Sequence, residues 1–237
     1  KLPASKGSFT PQKYRSVSLP TGIPLGDIPI VQNALNTGAP LSGIELIKSN
    51  YLQRLGLDKQ ADVGLRAQVT QGLAPGKGPA PEGTYDIEGG KIGMLSMAVY
   101  PIKVKGRIVG TAIVGTLMNR NHGLTDQLTS KYKDIGVATI FAQDLRVATN
   151  VPYVDPQTKK IDNTRATSTR VASEVAETIA KGQPFIGRTN VAGLDYLTTY
   201  LPLYDHQKDL NPQAKPIGNA FVAKPLAEIN DILRQQQ

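Results

Sequence analysis

A basic side chain and three hydroxyl-bearing side chains lie on two neighbouring strand-like runs near the C-terminal end of the chain. Arg188 belongs to the run FIGRTNV, and the run DYLTTYLPLYD supplies Tyr196, Thr198 and Tyr200. Because successive residues of a strand point to opposite faces, the last three share one face. Pairing of the two runs as a hairpin is expected to bring the Arg188 guanidinium near Tyr196. A guanidinium surrounded by hydroxyl groups suits a small carboxylate, since arginine offers a bidentate fork.

The same residues permit a structural interpretation. Arg188 then pairs with a local acid such as Asp195, and the tyrosines are ordinary residues at the edge of a core. A ligand-binding pocket built from Arg188, Tyr196, Thr198 and Tyr200 is our prediction, and the ion pair is its alternative.

No other part of the sequence suggests a catalytic, metal or cofactor site. Cysteine is absent, which excludes thiolate metal sites, disulfide bonds and a cysteine nucleophile. The two histidines, His122 and His206, lie far apart in a helix-like run and a polar loop, without metal-ligand spacing. The chain also lacks a GxSxG motif, a P-loop and a glycine-rich dinucleotide fingerprint. We therefore predict a protein that is not an enzyme and uses no cofactor.

The charge of the chain bears on its partners. The 27 Lys and Arg residues exceed the 19 Asp and Glu residues and give a net charge of +8. These basic residues are scattered, and few aromatic residues lie between them for base stacking, so we predict no nucleic-acid partner. A module without a small ligand, whose basic surface meets anionic lipid or polymer, is the second functional interpretation. The salt dependence of binding distinguishes the two interpretations. Binding through an exposed basic surface should weaken steeply with ionic strength, whereas binding in a buried pocket is screened much less.

The hydrophobic pattern predicts the elements that position these residues. In the second half, strands are predicted at 137–142, 144–151, 185–191, 195–205 and 219–224. A helix is predicted at 172–182 with Ser173 as its N-cap. The last helix starts at Pro225 and carries Leu226, Ile229, Ile232 and Leu233 on one face.

The first half alternates shorter elements with a long connection. A strand-like run at 14–19 precedes predicted helices at 28–35, 49–57 and 117–133, a strand at 42–47 and a β-hairpin at 91–115. Ser49 or Asn50 is expected to cap the second helix. Residues 72–90 are dense in glycine and proline, which indicates a binding loop or a disordered segment.

Two hairpins of similar pattern occur in the two halves. The first contains YPI, a polar turn and IVGTAIV, and the second contains LPL, a longer turn and PIGNAFV; a helix follows each. This repeat indicates two copies of one domain type. We predict an α+β fold of two modules, residues 1–118 and 119–237, each with a central antiparallel sheet flanked by helices.

The second half resembles a known family of sensor modules. The stretch ATIFAQDLRVATNV, the stretch PFIGRTNVAGLDYLTTYLPLYD and the stretch KPIGNAFVAKPLAEI are similar to the membrane-proximal Cache (PAS-like) module of bacterial chemoreceptors and sensor histidine kinases. The first half resembles the distal module of double Cache sensors more weakly. It departs from them because the usual long N-terminal helix is not evident. The insertion at 204–216 is a second departure from the family pattern.

The resemblance implies an extracytoplasmic, periplasmic sensor. A small-molecule ligand, such as a small carboxylate or an amino acid, would bind one module and signal through the C-terminal helix. Membrane attachment would come from flanking helices outside this chain, and the receptor would be a homodimer. In the first module the matching strand positions are Leu95, Met97 and Val99, so a pocket there would prefer an apolar ligand or would only transmit a signal.

Overall fold

The structure is a computed structural model that describes residues 22–132 and 134–235. The strand predicted at 14–19 lies outside the described residues. Two main antiparallel sheets with flanking helices and a two-stranded ribbon form the fold, which confirms the predicted α+β class. The described residues include no helix that is both long and apolar enough to cross a membrane.

The first sheet forms around the predicted hairpin and has the strand order β1-β2-β3. Lys105 and Gly106 both have positive φ angles, which gives a two-residue turn whose twist matches that of the strands. The three strands are β1 Leu41–Ile47, β2 Gly93–Val104 and β3 Arg107–Leu117.

Three short helices belong to the first sheet: α1 Pro29–Thr37, α2 Ser49–Arg54 and α3 Asp58–Ala61. Leu95, Met97 and Val99 are buried in one core cluster with side chains of α1 and α2. These apolar positions therefore pack against the protein's own helices. The N-cap of α2 is Lys48, so the caps predicted at Ser49 and Asn50 are wrong.

The second sheet has five antiparallel strands in the order β5-β4-β10-β9-β8. Two further strands, β6 and β7, pair with each other beside it. The bounds are β4 Val137–Ala142, β5 Leu145–Thr149, β6 Pro152–Val154, β7 Ile161–Arg165, β8 Phe185–Val191, β9 Leu194–Leu203 and β10 Gly218–Pro225.

Four helices accompany the second sheet: α4 Gly123–Lys131, α5 Ser173–Ala180, α6 Gln207–Leu210 and α7 Leu226–Gln235. Helix α4 is shorter than the helix predicted at 117–133, because Leu117 ends β3 and the Asn119 side chain binds the backbone of three residues, Met94, Ala61 and Ile92. The N-cap of α5 is Ala172, so the cap predicted at Ser173 is wrong. The Ser173 hydroxyl donates to the carbonyl of Gly76 instead.

Residues 62–90 lie between α3 and β2 of the first half and contact the second half. The backbone N–H groups of Ser173 and Glu174 donate to the carbonyls of Gly78 and Gly76, at 2.8 and 3.1 Å. A β-bridge joins Pro79 to Ala172. Part of the glycine- and proline-rich segment 72–90 thus packs against the start of α5, and Asp86 and Glu88 near its end bond Lys48 and Ser49 at the start of α2.

A shared hydrophobic core joins the two halves. Side chains of the first half, among them Ile92 and Met94, lie in one cluster with Leu145 and Val147 of β5 and Ile217. The interpretation of the halves as two copies of one module, divided at residues 118 and 119, stays a prediction.

Candidate functional site

The face of β9 that was predicted to line a pocket is buried in the second sheet. Tyr196, Thr198 and Tyr200 are 2%, 1% and 1% exposed, and Leu197 and Leu201 on the opposite face are exposed. The predicted alternation along this strand is confirmed. Strands β8 and β10, which flank β9, and helix α5, which packs on it, hold the three polar side chains inside the core.

Arg188 lies on the other face of the sheet. Its Cα partner in the ladder is Leu197, whereas Thr189 is the partner of Tyr196. The Arg188 side chain is exposed, so the expectation that it lies beside Tyr196 is wrong. The alternative ion pair is not formed either, because Asp195 accepts a hydrogen bond from Asn190 and makes no salt bridge with Arg188.

A different guanidinium, that of Arg146 on β5, occupies the buried face. Arg146 is 1% exposed, and its Cζ atom lies 4.8 Å from the centroid of the Phe141 ring. Its Nη1 atom donates to the Thr169 hydroxyl, and its charge interacts with the phenols of Tyr196 and Tyr200. The structure thus brings Arg146, and not Arg188, to the predicted hydroxyl groups.

The charge of Arg146 has no acidic partner. Among the described residues, no Asp or Glu forms a salt bridge with it, and its Nε atom has no hydrogen-bond acceptor. Burial lowers the pKa of Arg146 to about 10, so the side chain remains charged at neutral pH. A buried cation without a counter-ion is costly, by several kcal/mol on typical scales. Such a group is a natural anchor for an anionic ligand.

Hydroxyl groups on the buried face of β8 and β9 contact one another. The Thr189 hydroxyl lies 3.3 Å from that of Thr198 and 3.4 Å from the Tyr200 phenol. The hydroxyl of Thr167 is buried and has no hydrogen-bond partner among the described residues. Burial raises the pKa of Tyr196 and of Tyr200 to about 12, so both phenols keep their protons and can donate hydrogen bonds.

Aromatic rings form the apolar wall of this cluster. Tyr200 packs against Phe221, Phe185 and Phe141, with ring centroids 4.7, 5.9 and 6.1 Å apart. Aromatic packing of this kind fixes side-chain positions. The Tyr200 hydroxyl is therefore held in place beside Arg146 without relying on a ligand.

The segment 166–170 bonds Arg146 of β5 on one side and residues 63–66 on the other. The Arg146 N–H donates to the carbonyl of Thr169 at 2.9 Å, and the Ser168 N–H donates back to the Arg146 carbonyl at 3.0 Å. The side chain of Ser168 donates to the carbonyl of Val63, and the N–H of Arg66 donates to the carbonyl of Ser168. Access to the guanidinium therefore requires local movement of the segment 166–170 or of α5.

A second polar cluster lies between the two sheets. Glu45, Asp205 and His206 bring ligand-type atoms within 4.8 Å of one another, and the carboxylate of Glu45 already bonds the imidazole of His206. Asn33 of α1 bonds the other ring nitrogen at 2.8 Å. The insertion at 204–216, whose role the sequence does not indicate, thus attaches the second half to β1 and α1.

One feature of the sequence, a short turn, indicates which face of the sheet Arg188 occupies. Ala192 and Gly193, both at positive φ, form a two-residue turn between β8 and β9. A turn of this length fixes the register of a hairpin, and counting outward from it pairs Arg188 with Leu197. No comparable signal exists for Arg146, because all five residues of β5 are buried.

An antiparallel sheet of five strands in the order β5-β4-β10-β9-β8 with flanking helices is consistent with a PAS-like fold. The chain matches the family "Single cache domain 3" over residues 116–236, just over half of its length. It therefore belongs to this Cache family. Membership supports a ligand-sensing receptor role and points to an extracytoplasmic location.

Two solved structures are similar to this chain at low sequence identity. One is the ligand-binding domain of the Pseudomonas aeruginosa amino acid chemoreceptor PctC in complex with GABA, with 13% identity, a TM-score of 0.34, and coverage of 93% of this chain and 71% of that chain. The other is the periplasmic domain of Vibrio cholerae LuxQ, with 12% identity, a TM-score of 0.31, and coverage of 82% and 76%. A comparison with curated proteins finds no match.

Proposed function

We propose that the chain is the extracytoplasmic sensor part of a bacterial transmembrane receptor and binds a small carboxylate or amino acid in its second half. The carboxylate pairs with the Arg146 guanidinium, and the phenols of Tyr196 and Tyr200 complete its hydrogen bonds. The Thr198 hydroxyl lines the site but already donates to the Gly187 carbonyl at 2.8 Å. Arg146 takes the role that the sequence assigned to Arg188. The observation that carries this proposal is the buried charge of Arg146 without an acidic partner.

A carboxylate supplies the negative charge that this cluster lacks. Arginine donates two parallel hydrogen bonds to a carboxylate, and charge-assisted bonds of this kind are about twice as strong as neutral ones. The Nε atom of Arg146 and the hydroxyl of Thr167 are buried and unpaired. A carboxylate bound to the guanidinium would accept from the Nε atom and compensate the charge, so the ligand-bound state should be the more stable one.

The site is coupled to the C-terminal helix through one strand pair. Tyr196 lies opposite Pro225, the last residue of β10, and α7 begins at the next residue. Glu228, on the first turn of α7, interacts electrostatically with Tyr196. A ligand that shifts the Tyr196 phenol therefore acts on the start of α7. Coupling of this kind between two sites typically amounts to about 1 to 3 kcal/mol.

Membership of the Cache family supports a receptor context. We propose that α7 leads towards the membrane, that the receptor acts as a homodimer, and that its output is a histidine kinase or a methyl-accepting chemotaxis domain. The sensor itself performs no catalysis, since Cache domains are ligand-binding modules.

Thermal shift measurements against amino acids, small carboxylates and purines test the site. A ligand at a hundred times its dissociation constant should stabilise the protein by about 2.7 kcal/mol. Arg146→Met should abolish the shift, and Tyr196→Phe should reduce it. The control Arg188→Ala should leave the shift unchanged, because Arg188 points away from the cluster. A ligand shift that survives in Arg146→Met, or one lost only in Arg188→Ala, would contradict the assignment.

A further inference from the structure

The tip of the β2–β3 hairpin exposes apolar side chains next to basic ones. The apolar side chains of Tyr100, Ile102, Val104 and Val109 are 63%, 44%, 53% and 62% exposed. The basic side chains are Lys103, Lys105 and Arg107, and all three are exposed. We call these seven residues the hairpin surface.

No acidic group of the described part of the chain pairs with the hairpin surface. The strands β2 and β3 and their turn contain no Asp or Glu. None of the three basic side chains forms a salt bridge with a described residue. The hairpin surface therefore has a local charge of the same sign as the net charge of the whole chain.

Within residues 22–132 and 134–235, one side of the hairpin tip packs against the end of α1. The Cδ1 atom of Ile108 and the Nζ atom of Lys103 both lie 3.5 Å from the position that a Cβ atom on Gly38 would occupy, at the end of α1. Tyr100 and Ile102 lie on the opposite side, since alternate residues of β2 face the core. The tip thus extends beyond α1 with its apolar side chains in solvent.

We propose that the hairpin surface binds an anionic lipid bilayer. Aliphatic and tyrosine side chains enter the boundary between headgroups and acyl chains, and Lys105 and Arg107 contact the phosphates. The three cations argue against pairing of two copies through their tips, because like charges would meet. The exposed aliphatic side chains argue against a soluble polyanion as the partner, because such a polymer offers them no apolar environment. This inference goes beyond ligand sensing and does not depend on the Arg146 site.

Vesicle co-sedimentation tests the proposal. The protein should bind vesicles of phosphatidylcholine mixed with phosphatidylglycerol at low salt and should not bind vesicles of phosphatidylcholine alone. Each basic residue near an anionic surface strengthens binding roughly fivefold, so Lys105→Glu combined with Arg107→Glu should weaken binding by far more than tenfold. Ile102→Ser combined with Val104→Ser should also weaken binding, because insertion is lost.

The matched control is Lys159→Glu combined with Lys160→Glu, which makes the same change in net charge at another exposed turn. This control should retain most of the binding, and circular dichroism melting should show that all variants fold. Three outcomes would overturn the proposal: no binding to anionic vesicles, an equal loss in the control, or undiminished binding of the serine variant. The last outcome would indicate a purely electrostatic polyanion surface.

Discussion

The Nδ1 atom of His206 lies 2.9 Å from each carboxylate oxygen of Glu45, and both side chains are almost completely buried. The backbone N–H of His206 also donates to Glu45, at 3.0 Å. A Cβ atom on Gly43 would lie 2.9 Å from the Glu45 oxygen, so the pair fits against a position that only glycine allows. This contact holds the insertion at 204–216 against the edge of the first sheet.

Removal of one member of this pair should destabilise the protein. Glu45→Ala or His206→Ala leaves the other side chain buried without its ionisable partner, and losses of about 3 to 5 kcal/mol are typical. Urea unfolding measures the change. In the double variant Glu45→Leu/His206→Leu, the loss should be clearly smaller than the sum of the single losses, because no orphaned group remains. The control Asp209→Asn, on the same insertion but exposed, should change little. Single losses below about 1 kcal/mol would show that the pair does not join the two halves.

The proposed ligand site should carry a stability cost. Arg146→Met removes an uncompensated buried charge and keeps an unbranched side chain, so the free energy of unfolding without ligand should stay equal or rise by about 1 to 2 kcal/mol. Arg165→Met is the matched control, because Arg165 is also buried but pairs with Asp126 at 2.7 and 2.9 Å. It should lose about 3 kcal/mol. A comparable loss in Arg146→Met would indicate that Arg146 is structural.

The sequence predicted the elements of the second sheet better than the identity of its charged residue. Strands β4, β8, β9 and β10 alternate or carry continuous apolar runs between turn residues, so their existence follows from local pattern. The buried face of β9 followed from the same alternation. The error over Arg188 came from its register, which the turn at Ala192 and Gly193 determines.

The remaining site residues depend on contacts that are distant in sequence. β5 is buried on both faces, by the cluster of Met94 and Ile92 on one side and by the packing of Arg146 over the Phe141 ring on the other, and the segment 166–170 bonds its edge. Alternation is therefore absent, and the sequence does not reveal which way Arg146 points. His206 stands in a polar stretch typical of exposed loops, and its burial arises from Glu45 and Asn33.

Acid should destabilise the protein through His122. Burial, followed by the charge of Arg165, lowers the pKa of His122 to about 4 from 6.5, and its Nδ1 atom accepts a hydrogen bond from the Thr149 N–H. The folded state thus binds the proton less tightly than the unfolded state. Stability should decrease as the pH falls from about 6.5 to about 4, by roughly 3 kcal/mol in total.

Urea unfolding of the parent protein and of His122→Asn between neutral and acidic pH measures this contribution. The variant keeps an acceptor for Thr149 but has no titrating ring, so its stability should decline less steeply. Burial raises the pKa of Glu45, whose contribution has the opposite sign and cancels in the comparison. Parallel pH profiles for the two proteins would show that His122 is not buried in its neutral form.

Gly218, at the start of β10, should not tolerate a side chain. A Cβ atom there would lie 2.0 Å from the carbonyl oxygen of Phe141 and 2.8 Å from the terminal carbon of Met94, and the first of these is backbone that a rotamer change cannot move. Gly218→Ala should therefore separate β10 from β4 and cost about 3 kcal/mol or more. Gly110→Ala, on β3, is the matched control, because its Cβ atom would meet nothing within 4 Å and its φ is not positive. That change should lie within about 1 kcal/mol of zero. Similar urea midpoints for the two variants would show that β10 approaches β4 less closely than the structure indicates. The packing of the second sheet against Met94 in the shared core would then also be looser.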